Sequence, residues 1–349
     1  MRQIERRKAD HIEVALKEDI STGYNYWDDV KLVHCSLPEV DLEEVDTSVN
    51  MFGRKLSFPL IVTAITGGYP KAKRINENLA AACAELQIGM GVGSQRAGLE
   101  HGDDGSYKVL KEYDVPLRIG NVGAPQLIAQ KGKEPFSRDA LRKAMDMTGA
   151  HLLAVHLNFL QEVVQPEGDT RAKGCVDAIR SACKEFPLIA KETGAGLSQE
   201  VAKRLMGIGV RGLDVAGTGG TSFSAVEKHR ALMAEDMRSA MLGDTFHEWG
   251  IPAPVSVVWA KVGIPVIASG GVMDGLQVAK GIALGASCAG MARAVLSEAL
   301  ESKQKVVERL SLVQAELRAA MFLTGSKDVA ALGKRRAILT GETREWLDQ

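Results

Sequence analysis

Cysteine is sparse in this chain of 349 residues: Cys35, Cys83, Cys175, Cys183 and Cys288 are odd in number, scattered, and never spaced as Cys-x-x-Cys. That leaves neither a disulfide framework nor a zinc cluster, and it suits small reduced thiols in a core. Long apolar runs are missing too, none approaching the ~18 to 20 residues of a membrane-spanning helix. The opening segment MRQIERRKADHIEVALKEDI is charged throughout, unlike a secretion signal, so a cytoplasmic protein is expected. Surplus charge is absent: 43 Lys+Arg face 44 Asp+Glu, a net charge of -1. A nucleic-acid or membrane-surface binder would show a basic excess. With 45% hydrophobic residues the composition also excludes disorder. Aromatics are few, at 5%, whereas glycine is abundant, with 36 residues. Where those glycines fall is the informative feature.

From residue 57 onward, short apolar runs ending in Gly, Ser, Thr or Asn alternate with helical patterns, the signature of repeated β/α units. Eight strands are predicted: PLIVT (59–63), QIGMGVG (87–93), PLRIGN (116–121), HLLAVHLN (151–158), PLIAKE (187–192), VRGLDVAG (210–217), IPVIASG (264–270) and ASCAGMA (286–292). Between them, Ile75, Leu79, Ala82, Cys83 and Leu86 form one apolar helical stripe. Eight parallel units close most simply as a (β/α)8 TIM barrel, because closure removes the edge strands. Around the barrel (57–292) stand a leader (1–56) with a helix over about 3–18, an enlarged loop after strand six (222–252), a long helix over 293–322, and a C-terminal appendage (323–349). The whole chain, 1–349, is expected to be one domain. A lone Gly89-x-Gly91-x-Gly93 does not make a dinucleotide fold against an eight-unit count.

Barrel enzymes carry their chemistry at the C-terminal strand ends. Here these are rich in polar and small residues: Thr66-Gly67-Gly68, Ser94-Gln95-Arg96, Asn121, His156 to Glu162, Lys191-Glu192, Thr218 to Thr221, Ser269-Gly270-Gly271 and Gly290. One such residue alone is as well read as a turn former; eight ends together point to a site. After strands seven and eight, SGG (269–271) and GMA (290–292) suit a phosphate held by backbone N–H groups. Lys191 has three open roles: a Schiff base, a cation beside an anionic cofactor, or an ion pair with Glu192 or Glu162. HLNFLQEVVQPEGD offers His156, Asn158, Gln161, Glu162 and Gln165; a single Glu162 suffices for Mg2+ if the substrate is a diphosphate, a solvated loop carboxylate being the alternative. In the leader, Arg6, Arg7, Lys8 and His11 form a cationic helical face, either solvated or, with Arg96, aimed at phosphate oxygens.

Taken together, RKADH (7–11), AITGGYP (64–70), GSQR (93–96), GNVGAPQ (120–126), HLNFLQEVVQPEGD (156–169), KETGAGLS (191–198), DVAGTGGTSF (214–223), HEWGIP (247–252) and SGG (269–271) resemble the FMN-dependent type 2 isopentenyl-diphosphate delta-isomerases. The resemblance implies interconversion of isopentenyl and dimethylallyl diphosphate on reduced FMN with Mg2+, NADPH serving only as priming reductant. It implies a homo-oligomer, tetramer or octamer. By matching position, Ile65, Thr66, Gly67, Ser94, Asn121, Lys191 and Thr221 would line FMN, with Gly271, Val272, Met273, Ala292 and Arg293 at its phosphate. Arg7, Lys8, Ser94, Arg96, Asn158 and Gln161 would hold substrate, Glu162 the metal, and Gln161, Lys191 and His11 would serve catalysis. Glu227 and His229 are secondary candidates for closing the pocket. Met273 stands where the family often has Arg, Ala216 where some members have Ser, and Ile65 where Met is common. Competing expectations are a Schiff-base lyase using Lys191 and a noncatalytic flavin or prenyl-diphosphate sensor.

Overall fold

The computed structural model describes residues 3–349, with side chains from Arg7 onward. Eight parallel strands close a barrel: β1 (Leu60–Val62), β2 (Gly89–Gly91), β3 (Arg118–Gly123), β4 (Leu152–Leu157), β5 (Leu188–Glu192), β6 (Leu213–Asp214), β7 (Val266–Ala268) and β8 (Cys288–Met291), with β8 pairing back onto β1. Seven lie inside their expected runs, and β3 extends past the expected 116–121 to Gly123. The register sets Gly123 beside His156, His156 beside Lys191, and Lys191 beside Asp214, a polar row across β3 to β6.

The barrel interior is packed rather than open. Ile61, Ile119, Ile189 and Ile267 form a buried cluster with Met51 and Leu56 from a hairpin (Val49–Met51 paired with Arg54–Leu56). This hairpin, unpredicted from the sequence, turns at Phe52 and Gly53, both at positive φ (51° and 76°). A two-residue turn of that hand matches strand twist. With one end filled by apolar side chains, the polar site is confined to the other end.

The leader and the C-terminal segment belong together. The leader helix α1 (Gln3–Lys17) packs Val14 against Ala225 and Val226, and Ile20 completes the cluster. Residues 20–27 then clip across the loops after β6 and β7: Ser222 N–H donates to Ile20 O at 2.8 Å and the buried Trp27 Nε1 donates to Gly270 O at 2.7 Å. Val30–Leu32 pairs antiparallel with Ala337–Leu339 of the appendage.

Two expectations are corrected. Residues 222–252 contain a helical hairpin, α2 (Phe223–Met233) and α3 (Met237–Thr245), started by Ser222 and Asp236, whose side chains accept from Ala225 and Ser239 N–H. Side-chain capping of orphan N–H groups explains both starts. The run over 293–322 is broken: a turn at Arg293–Val295 and a helix Leu296–Glu301 end at Ser302, which is extended (φ -164°, ψ 161°) and caps α4 (Lys303–Leu323). Among the described residues no helix is long and apolar enough to cross a membrane.

Candidate functional site

A cavity of about 450 Å³ opens at the C-terminal ends of the strands. Every residue singled out for cofactor, substrate, metal or catalysis lines it: His11, Ile65, Thr66, Gly67, Ser94, Asn121, Thr221, Val272, Ala292 and the rest named above. Only the secondary candidates stand apart. Glu227 lies wholly buried behind the wall, and His229 Nδ1 is 3.6 Å from Glu18 of the leader. The side chain of Arg6 lies outside the described residues.

The floor is the polar row. Lys191 Nζ sits 3.2 Å from Asp214 Oδ2 and donates to Glu192 O at 3.0 Å. Its ion-pair partner is therefore Asp214, not Glu192 or Glu162. A lysine nitrogen engaged by both a buried carboxylate and a backbone carbonyl is not presented to the cavity as a free nucleophile, which disfavours the Schiff-base role. Asp214 also accepts from Ser269 Oγ, which in turn accepts from Ala216 N–H at 2.9 Å. His156 shares a 2.8 Å hydrogen bond between Nδ1 and Asn121 Oδ1. Burial, reinforced by Lys191 and Lys8, pushes His156 down to about 3. The ring is thus neutral, with Nδ1–H as donor to the amide oxygen. Glu192 points away into its own loop, where Oε2 accepts from the N–H groups of Thr193, Gly194, Ala195 and Gly196. Burial raises it to about 7 against those four donors. Gln95 is structural, wholly buried and donating to Ala144 O.

One wall comes from the segment after β4. Asn158 Nδ2 donates to Glu162 Oε1 at 2.9 Å and to Gln161 Oε1 at 3.2 Å, while Asp169 N–H donates to Glu162 Oε2 at 2.6 Å. Each Glu162 oxygen keeps accepting capacity beyond those bonds. Glu162 is raised by burial, so a cation is the natural means of keeping it charged. Among the described residues no three His, Cys, Asp or Glu side chains cluster to hold a metal. Gln161 Nε2 donates to Glu227 Oε1 at 2.8 Å; the same oxygen meets His11 Nε2 at 2.9 Å, and Arg230 pairs with Oε2. Burial opposes charge on Glu227, but His11, Arg230 and Gln161 together hold it at about 2. Burial lowers His11 in turn.

The cationic rim is more committed than the sequence suggested. Arg96 is already bound, Nε to Glu100 and Nη1 to Asp169, both at 2.8 Å. Lys8 Nζ donates to Ser94 O (2.6 Å) and Tyr107 Oη (2.7 Å), and burial followed by repulsion from Arg7 lowers it to about 7. Arg7 Nε, Gln165 Nε2 and Asn158 Oδ1 are buried without a partner. Two donors and an acceptor at the cavity wall are thus open to hydrogen bonds from a polar ligand or water. At the opposite end Arg293 Nη2 donates to Ser21 Oγ at 2.7 Å, and Gly270 and Gly271 hold φ of 95° and 72°. One phosphate-loop expectation is altered: the Met273 N–H is taken by Gln277 Oε1 at 2.6 Å. Sequence reasoning missed Asp214, Asp169 and Tyr107. Asp214 had a signal, a lone carboxylate in an apolar strand one strand on from Lys191.

The FMN-dependent dehydrogenase family model matches residues 154–339. The isopentenyl-diphosphate delta-isomerase of Methanothrix thermoacetophila is 47% identical over 348 residues, covering 99% of this chain and 96% of that one. Its counterpart from Thermoplasma acidophilum is 44% identical over 346 residues, 99% of each chain. Among solved structures, a mandelate oxidase variant with (S)-mandelic acid superposes with TM-score 0.64 at 18% identity, covering 97% of this chain and 98% of that one. Another, with a monooxide FMN adduct, gives 0.61 at 18% identity, with 95% and 92% covered. At such identity these two speak for the barrel alone.

Proposed function

The chain belongs to the isopentenyl-diphosphate delta-isomerase family, and we propose that it shifts the double bond of isopentenyl diphosphate to give dimethylallyl diphosphate, with FMN and Mg2+ in the cavity at the barrel mouth. The observation that carries this reading is convergence: the strand-end residues suited to FMN, the cationic rim and Glu162 line one cavity. The donor set suits the cofactor. Lys191 presents a fixed cation on the floor, and Arg293 with the Gly271–Val272 backbone offers phosphate donors at one end. When bound, reduced FMN supplies an electron-rich ring that can exchange a proton with the alkene.

The residues of the chain then divide the work. Arg7 and Lys8 bind diphosphate oxygens, Arg7 through its unpaired Nε, and Arg96 adds positive field while staying clamped between Glu100 and Asp169. Glu162 would hold Mg2+, whose charge would offset that of the diphosphate, and Asn158 orients that carboxylate. A 1,3-shift needs one carbon protonated and another deprotonated. Gln161, locked between Asn158 and Glu227, orients the proton on its side of the alkene, and His11 secures Glu227. Phe223, Ile12 and Val226 supply apolar lining that keeps water from a cation-like centre.

NADPH is the proposed reductant and the cytoplasm the proposed location, the latter in keeping with five unpaired cysteines. We further propose a single-domain protomer that assembles as a tetramer or octamer. Leu232, Met233, Met237 and Met241 expose an apolar face on α2 and α3 that such assembly would cover. The deciding experiment is an anaerobic assay of isopentenyl diphosphate with FMN, a reductant and Mg2+. Turnover lost in Gln161→Ala and on chelation, and weakened in Mg2+ dependence by Glu162→Ala, supports the reading. Protein that neither binds FMN nor forms dimethylallyl diphosphate overturns it.

A further inference from the structure

We infer that Tyr107 is a positioning residue for diphosphate binding: its hydroxyl sets the place of the Lys8 ammonium, and its ring sets the loop Thr66–Gly68 beside it. Tyr107 lies on the short helix Gly105–Lys108, is wholly buried, and forms no part of the cavity lining. Its hydroxyl donates to Ser94 O at 2.6 Å and accepts from Lys8 Nζ at 2.7 Å, while Lys8 Nζ donates to that same carbonyl at 2.6 Å. The three groups close a triangle. An ammonium has three protons, and here two are spent, leaving one for an anionic ligand. A lysine stem is long and flexible, so an ammonium pinned in advance spares binding the cost of ordering it.

The ring acts on the other side. A Cβ added at Gly67 would run into Tyr107 Cε1, and one at Gly68 would stand 2.6 Å from the Tyr107 hydroxyl and 3.0 Å from Lys8 Nζ. The paired glycines of the strand-one loop are therefore shaped by Tyr107, which occupies the space their side chains would fill. Its neighbour Ser106 ties the same loop: Gly68 N–H donates to Ser106 Oγ at 2.8 Å, and Asn76 bridges Ser106 O and Thr66 O. One dipeptide thus holds the cofactor-side loop and the leader's cation in fixed relation.

This inference rests on Lys8 contacting the diphosphate. It is tested on the FMN-loaded protein with Tyr107→Phe, Lys8→Met and the double variant, reading KM and kcat for isopentenyl diphosphate, FMN affinity, and affinity for inorganic pyrophosphate. Phenylalanine keeps the ring and removes only the hydroxyl. Tyr107→Phe should raise KM and weaken pyrophosphate binding by roughly five- to tenfold, with kcat and FMN affinity within about twofold. In the Lys8→Met background the same change should add nothing. Unchanged KM and pyrophosphate affinity in Tyr107→Phe, or an equal loss with and without Lys8, overturns the inference. Wild-type protein that binds pyrophosphate without isomerising defeats instead the functional reading, and the pyrophosphate arm still decides the role of Tyr107.

Discussion

The Gln161 amide donates to Glu227 Oε1 at 2.8 Å, and Glu227 is wholly buried. A carboxylate kept charged without solvent fixes the amide's orientation: Nε2 faces Glu227, so Oε1 takes the Asn158 bond. Glu227→Gln replaces the charge with an amide of either orientation and weakens the contacts to His11 and Arg230. The expected result is kcat lowered at least about tenfold with KM within about threefold, because the ground-state diphosphate contacts lie elsewhere. Glu227→Ala additionally leaves Arg230 with Glu167 at 3.1 Å as its remaining close carboxylate, for a stability loss of roughly 1 to 3 kcal/mol. Steady-state rates and melting curves check both; wild-type kcat in Glu227→Gln contradicts the orienting role.

Lys8 makes diphosphate binding proton-linked. Burial and the neighbouring Arg7 lower it to about 7, so above that pH the free protein holds much of it neutral. A bound anion favours the ammonium, hence binding takes up a proton, increasingly so as pH rises from about 7. Calorimetry of pyrophosphate binding at pH 8, in two buffers of different ionisation enthalpy, should reveal uptake approaching one proton. Lys8→Met should abolish the buffer difference. Equal heats for the wild type in both buffers would count against a Lys8 contact.

The glycines show how far the sequence could be read. Their clustering at strand ends located the site, yet the reason differs at several of them. Cβ atoms at Gly217, Gly220, Gly270 and Gly271 would strike backbone of neighbouring loops, so these residues let the loops after β6 and β7 pack on each other before any ligand enters. Eight strands and the polar strand-end residues were legible because apolar periodicity and strand-end polarity are local signals, whereas Ile65, Val272 and Arg293 were expected only from the family resemblance. The hairpin at 49–56 was not, its role being to fill a barrel end brought near only by closure. The partners of Arg96 and Lys191 were equally invisible. Asp169 and Asp214 lie 73 and 23 positions on in the chain, and only the register of β5 and β6 brings Lys191 beside Asp214.

That register carries a further expectation. Asp214 is 2% exposed, and Lys191 is its cationic partner at 3.2 Å. Lys191→Met leaves a buried carboxylate facing a methyl group, which should cost about 3 kcal/mol or more. Lys191→Met combined with Asp214→Asn removes both charges and should recover much of that stability while leaving FMN affinity low. Chemical denaturation and flavin titration separate the two effects. Borohydride with a carbonyl compound should not label Lys191; labelling would return the Schiff-base lyase to contention.

Stability against acid is governed by buried groups that oppose one another. His156 falls from 6.5 to about 3, so an unfolded chain gains its proton first and stability is lost as pH drops below 6.5. Glu192 rises from 4.5 to about 7; its contribution is full below 4.5 and is lost as pH climbs through 7. Glu227 falls from 4.5 to about 2, a contribution present above 4.5 and lost below it. Between pH 7 and 4.5 the first two each change stability by roughly 3 kcal/mol in opposite directions, while His151, lowered to about 4 by burial, and His11, also lowered by burial, add further loss on acidification, so the wild type should lose stability there. Below 4.5 Glu227 and His156 act together and the midpoint should drop. His156→Gln should therefore lose less stability than the wild type on acidification from 7 to 4.5, and Glu192→Gln more. Melting curves across that window decide it: slopes of the two variants that fall on the same side of the wild-type slope would remove the assigned protonation states.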